Sequence, residues 1–193
     1  MKKNSIIAFL ASCFLLSSLL ACGNAQSAKQ AENSFIEKQI DEAVVDMSQY
    51  MPKLPVGTVA PDFVANDTCG NAFQLSSLKG SYVVVDFWAS WCGDCRREIP
   101  VVKELYADFA SKDVKFVGLS FDHEAESWRK CLVENEFPFI QVCNFVKWKE
   151  SPISEAYDLH WIPTMALISP EGTLVGFALT TADMRALLEK TIK

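Results

Sequence analysis

The chain has 193 residues, 50% of them hydrophobic and 22% charged, with a formal net charge of −6. That length supports one domain with a sizeable core and a short extension, and is too short for two comfortable domains. An acidic balance with no basic, aromatic-interleaved patch repels phosphate backbones and excludes nucleic acid as a partner.

Lys2 and Lys3 precede an apolar stretch from Ile6 to Leu20, the layout of a secretory signal peptide and too short for a comfortable membrane span. Leu19-Leu20-Ala21-Cys22 closes that stretch and resembles a bacterial lipobox. The resemblance implies that residues 1–21 are removed, that Cys22 carries lipid, and that the protein is exported and held at a membrane on its periplasmic side. Gly23 in place of Asp implies, by the same resemblance, the outer rather than the inner membrane. The alternative is an ordinary signal peptide with an accidental Cys22. Removal of Lys2 and Lys3 takes no carboxylate with it, so the remaining chain is more acidic still.

Residues 22–53 read as a tether followed by an amphipathic helix. Gly23 to Ala31 is small and polar; Phe35, Ile36, Ile40, Ala43, Val44, Met47 and Met51 then recur at helical spacing, which predicts a helix over 34–50 that ends before Pro52. Its apolar stripe must be covered by the domain, by a second copy or by lipid. The mostly acidic polar face argues against lipid and for docking on the domain.

From residue 54 to 193 strands and helices alternate. Val56 to Phe63 opens an extended stretch, Asn66 to Asn71 is a turn, and Ala72 to Leu75 is the return strand of a hairpin. Tyr82 to Trp88 is nearly all apolar, as for a central strand buried on both faces. A helix is predicted from Cys92 to about Ser111, continuing through Pro100 because Val101, Val102, Leu105, Tyr106 and Phe109 keep the period. Strand, helix and strand follow over 114–121, 124–136 and 139–142, then a short helix over 151–158. Thr164 to Ser169 and Thr173 to Ala178 form a hairpin around Pro170-Glu171-Gly172, after which Thr181 is placed to cap a helix over 182–192. The class is α/β, with a central mixed sheet flanked by helices and an N-terminal hairpin extension. Ligands of such sheets bind beyond the carboxyl ends of the parallel strands, which is where Cys92 falls.

Trp91-Cys92-Gly93-Asp94-Cys95 sits where a strand hands over to a helix. A helix N-terminus offers unpaired N–H groups and partial positive charge, which favour a thiolate over a thiol. Cys92 is therefore the candidate nucleophile. Cys95, one turn later, is the candidate resolving thiol that attacks a mixed disulfide formed at Cys92.

Val56-Gly57-Thr58-Val59-Ala60-Pro61-Asp62-Phe63, Phe87 to Pro100, and Trp161-Ile162-Pro163-Thr164 with Pro170-Glu171-Gly172 together resemble the TlpA/ResA group of thioredoxin-like thiol-disulfide oxidoreductases, in the AhpC/TSA-redoxin branch. The resemblance spans roughly residues 54–192. It implies a thioredoxin-like fold, a cis peptide bond before Pro163 that turns Ile162 toward the disulfide, and protein thiols and disulfides as substrates with Trp91, Gly93, Asp94, Ile162 and Pro163 at the binding surface. It also implies a proton-handling role for Glu98, reduction as the direction, and a membrane electron donor; no cofactor or metal is required. Physically, a carboxylate at Glu98 disfavours a neighbouring thiolate, while Arg96 and Arg97 push the other way. Trp88 and Trp91 either wall the site or pack core and rim.

Competing chemistries are weaker. Zinc would need a second close cysteine pair or histidines, yet the only histidines are His123 and His160. Attachment of a c-type haem needs His after Cys95, where Arg96 stands. A peroxiredoxin shares the Ala60-Pro61-Asp62-Phe63 opening but not the close resolving thiol, and a non-catalytic binding lipoprotein would not need the cysteine pair. Among the remaining cysteines, Cys131 and Cys143 either form a disulfide or are small buried hydrophobes beside Cys69.

Overall fold

The computed structural model describes residues 46–192. The signal segment, Cys22, the tether and most of the predicted 34–50 helix lie outside them; the described end of that helix, Met47–Tyr50, is a single 3-10 turn.

Seven strands form one mixed sheet: β1 (Val64–Asp67), β2 (Ala72–Gln74), β3 (Tyr82–Trp88), β4 (Val114–Ser120), β5 (Ile140–Cys143), β6 (Thr164–Ile168) and β7 (Leu174–Ala178). Their spatial order is β2-β1-β5-β4-β3-β6-β7. The β3–β4 and β4–β5 pairs are parallel, whereas β3–β6 and β6–β7 are antiparallel, as are the β1–β2 and β1–β5 pairs that add the N-terminal hairpin to one edge. The helices are α1 (Gly93–Phe109), α2 (Ala125–Asn135), α3 (Pro152–Ala156) and α4 (Thr181–Thr191).

Period-two alternation along the central strands sorts their side chains into two cores. Val83, Val85, Phe87, Val117, Leu119, Ala166 and Ile168 join one cluster with Trp128 and Tyr157. Val84, Val114, Phe116, Met165 and Leu167 join the other with Leu105, Phe109, Met184 and Leu188. Helix α1 buries Cys95, Ile99, Val102, Leu105 and Phe109, a 3.6-residue stripe that keeps it continuous through Pro100.

Gly118 shows why one strand position must lack a side chain. It pairs in register with Gln141 on β5 and Asp86 on β3. A Cβ at Gly118 would collide with the Gln141 amide, which lies across this position to accept the Trp88 indole N–H at 3.0 Å.

One predicted cap is corrected. Thr180, not Thr181, caps α4: its Oγ1 accepts from the Asp183 N–H at 3.1 Å. The helix starts at Thr181 itself, whose hydroxyl is engaged elsewhere, as the next section describes.

Candidate redox site

Cys92 and Cys95 form a disulfide with Cα atoms 5.3 Å apart. Cys92 is the N-cap of α1, in extended backbone conformation, and its Sγ accepts from the Cys95 backbone N–H at 3.1 Å. The donor that the helix leaves unpaired thus points at the sulfur that must carry negative charge after reduction. Both cysteines are buried, Cys95 more deeply at 3% exposure against 8% for Cys92. An incoming thiolate therefore meets Cys92 first.

Ile162 and Pro163 are brought to this pair by β6, the antiparallel neighbour of β3, which starts at Thr164 opposite Phe87. The peptide between them is cis, and the Ile162 carbonyl oxygen lies 3.6 Å from Cys92 Sγ. Trp91 stands at the rim, 51% exposed, with its indole N–H donated to the Phe121 carbonyl at 3.4 Å. Gly93 is exposed and Asp94 half-buried; the Asp94 carboxylate is paired with Arg97, one turn along α1.

Glu98 is half-buried and spans two helices. Its Oε2 accepts the Thr181 backbone N–H at 3.2 Å and also the Thr181 hydroxyl, tying α1 to the start of α4. A carboxylate at a helix N-terminus is favourably placed against the helix dipole. Its negative charge also reaches Asp86, a residue that the sequence reading passes over inside an apolar run.

Asp86 is buried in β3 and its Oδ1 has no hydrogen-bond partner among the described residues. Burial, and then the charge of Glu98, push its carboxyl up to about 7. It is thus a group that exchanges a proton near neutral pH, electrostatically coupled to a helix position one turn beyond Cys95. The signal was available in the sequence: a single carboxylate within Tyr82–Trp88, where an apolar residue would cost nothing to bury.

Asp122 was missed as well. Only 1% exposed, it follows β4 and reaches back to the approach to Cys92. Its Oδ2 accepts the Ser90 N–H at 2.9 Å and the Ser120 hydroxyl at 2.6 Å, while its Oδ1 accepts the Ser90 hydroxyl at 2.6 Å. No local motif marks it, because its partners come together only when β3 and β4 pair.

Cys131 and Cys143 are buried free thiols rather than a disulfide, and Cys69 is exposed in the hairpin turn. Burial raises the Cys143 thiol to about 11, and burial likewise raises Cys131. Neither is a nucleophile at neutral pH. His160 pairs with Asp158 at 3.1 Å. Among the described residues no group of three or more His, Cys, Asp or Glu side chains is placed to hold a metal ion, and no helix is long and apolar enough to cross a membrane.

Comparison with known proteins agrees with this geometry. The profile of the AhpC/TSA family matches residues 56–176. The chain is 36% identical over 121 residues to the thiol-disulfide oxidoreductase ResA of Bacillus subtilis, covering 62% of this chain and 64% of that protein. Among solved structures, the thioredoxin domain of a thiol-disulfide oxidoreductase from Bacteroides vulgatus aligns with a TM-score of 0.66 at 32% identity, over 73% of this chain and all of that one. A thiol:disulfide interchange protein from Bacteroides sp. aligns with a TM-score of 0.65 at 33% identity, over 72% of this chain and 91% of that one.

Proposed function

Since the chain belongs to the AhpC/TSA family and carries a cysteine pair at the helix N-terminus of a thioredoxin-like fold, we propose that it is a thiol-disulfide oxidoreductase of the TlpA/ResA type acting on protein thiols and disulfides. The observation that carries this reading is the Cys92 environment: an N-cap sulfur receiving the Cys95 N–H, with the Ile162 carbonyl beside it.

In the reducing direction the Cys92 thiolate attacks a substrate disulfide, forming a mixed disulfide and expelling one substrate sulfur as thiolate. Cys95 loses its proton and attacks Cys92 Sγ; the second substrate sulfur leaves, and the protein holds the Cys92–Cys95 disulfide. Two electrons pass to the substrate, whose two sulfurs leave as thiolates and take their protons from solvent. Asp86, buried in β3 with an unpaired oxygen and coupled to Glu98 one turn beyond Cys95, is the candidate acceptor for the Cys95 proton, its carboxyl being pushed up to about 7. Trp91, Gly93, Asp94, Ile162 and Pro163 line the approach along which an extended substrate would lie.

Reduction is the favoured direction on the family resemblance, with a membrane electron donor restoring the dithiol. The lipobox-like Leu19 to Cys22 supports an exported lipoprotein held at a periplasmic membrane surface, Gly23 favouring the outer membrane. Neither a peroxidase nor a non-catalytic binding protein accounts for a resolving thiol seated one turn from the nucleophile.

The decisive experiment couples reduction of a protein disulfide to a dithiothreitol supply. The wild type is expected to turn over, Cys92→Ser to be inactive, and Cys95→Ser to accumulate covalent mixed disulfides. A Cys92 that alkylates no faster than a free solution thiol, or rapid consumption of hydrogen peroxide with no disulfide exchange, would overturn the assignment. Labelling with a radioactive fatty acid, lost in Cys22→Ala, tests the tether, and titration against glutathione sets the direction.

A further inference from the structure

Beside the disulfide, on the side away from Ile162 and Pro163, lies a cleft of about 370 Å³ whose lining includes Trp91, Phe121, His123, Lys147, Trp148 and Lys149. Phe121 is its buried floor, and the exposed Trp91 ring forms one wall immediately before Cys92 in the chain. The opposite wall is the segment that follows β5.

Buried polar contacts brace the cleft from beneath. Asp122 holds Ser90, which fixes the chain entering Trp91. The Cys143 thiol donates to the Asp122 carbonyl at 3.4 Å and accepts the Phe145 N–H at 3.3 Å, so one buried sulfur joins the turn after β4 to the segment after β5. Phe145 then packs edge-on against Trp128, with ring centroids 5.7 Å apart. Three separate segments are locked into a shape that exists before anything binds, which lowers the ordering cost of docking.

The charge of the rim is opposite to that of the molecule. The chain carries −6 overall, yet Lys147 and Lys149 stand on this cleft against the single lining carboxylate of Glu150, while His123 lies 3.9 Å from Glu124. Glu150 lies 3.9 Å from Lys147, and Lys149 has no carboxylate partner among the described ion pairs. An apolar floor with a cationic edge matches one kind of ligand.

Resting on the oxidoreductase reading above, we propose that this cleft is a specificity site for the stretch of substrate polypeptide flanking the reacting cysteine, and that it selects a large apolar side chain next to a carboxylate. The apolar group would lie on Phe121 between Trp91 and Trp148; the carboxylate would reach Lys149 and Lys147. Protein substrates with acidic, apolar flanks are thereby favoured over basic ones, even though the protein as a whole is acidic and would repel them at long range.

The test uses the reduced protein and synthetic cysteine peptides held as mixed disulfides with 2-mercaptoethanol, carrying Leu-Asp or Leu-Lys next to the cysteine. Two exposed charge contacts predict that kcat/KM for the Leu-Asp peptide exceeds that for Leu-Lys by about tenfold at low salt. The ratio should shrink toward one at about 0.5 M sodium chloride, where exposed charges are screened within a few ångströms. Lys147→Glu with Lys149→Glu, both at exposed positions, should invert the preference. Equal rates for the two peptides, or a preference that survives the charge reversal, would overturn the proposal. Reduction of the neutral bis(2-hydroxyethyl) disulfide by the wild type separates the two levels: its absence defeats the oxidoreductase reading itself, whereas its presence with no peptide discrimination defeats only the specificity site.

Discussion

The interior of β3 and the turn after β4 each bury one carboxylate, and the two are treated in opposite ways. Asp122 accepts three hydrogen bonds from Ser90 and Ser120 and braces the approach to Cys92. Asp86 has an orphaned oxygen and a carboxyl raised to about 7. Burial alone therefore says little about a carboxylate's role; the donors supplied to it decide whether it braces the structure or is left without partners.

Removing the anchored carboxylate should have the largest effect. Asp122→Ala takes the acceptor from the Ser90 N–H and from the Ser90 and Ser120 hydroxyls in a largely buried site, and is expected to lower the unfolding free energy by about 3–4 kcal/mol in urea titrations. An effect below about 1 kcal/mol would mean that the turn finds other partners.

The unpartnered carboxylate should behave in the opposite sense. Because the folded-state carboxyl of Asp86 titrates near 7 rather than at the ordinary 3.8, the folded protein retains a proton that the unfolded chain releases. Its contribution is fully present below about pH 4 and is lost as the pH rises through about 7. Asp86→Asn is accordingly expected to stabilise the protein at pH 8 by about 2–4 kcal/mol, with little change at pH 4. The same variant should slow the Cys95 step of turnover. Equal stability of the two proteins at both pH values would remove the claim that burial raises the Asp86 carboxyl.

Asp86 also begins the cross-strand row Asp86–Gly118–Gln141. Gly118→Ala forces the Gln141 amide away from the Trp88 indole, and a loss of about 1–3 kcal/mol is expected from overpacking. Indole fluorescence would report the disturbed Trp88. The smallest effect is that of Glu98→Gln, which removes the second cause of the Asp86 shift and keeps an acceptor for Thr181. The Asp86 titration, followed by carboxyl-carbon NMR, should move down by no more than about one pH unit. No movement would show that the charge of Glu98 does not reach it.

How much of this was legible beforehand differs from element to element. The strand Tyr82–Trp88 was readable to the residue, since an apolar run broken only by Asp86, with turns at both ends, has few alternatives. The continuation of α1 through Pro100 was readable because the apolar period persists beyond it. The α4 cap was misplaced by one residue: Thr180 and Thr181 are equally good caps in isolation, and only the packing of α1 against α4 commits the Thr181 hydroxyl to Glu98. Cys131 and Cys143 were undecided from sequence because cysteine identity does not report the distance between chain segments.

The amino-acid sequence by itself determined the order of strands and helices, the placing of two thiols at a strand-to-helix junction and the family motifs around them, because these depend on local periodicity and spacing. Tertiary structure alone decided how closely the Ile162 carbonyl approaches Cys92, that Asp122 grips Ser90, that one oxygen of Asp86 goes without a hydrogen bond, and that a cationic cleft opens beside Trp91. Each of these joins residues at least 30 positions apart or depends on how much water is excluded, and neither quantity is carried by any short stretch of chain.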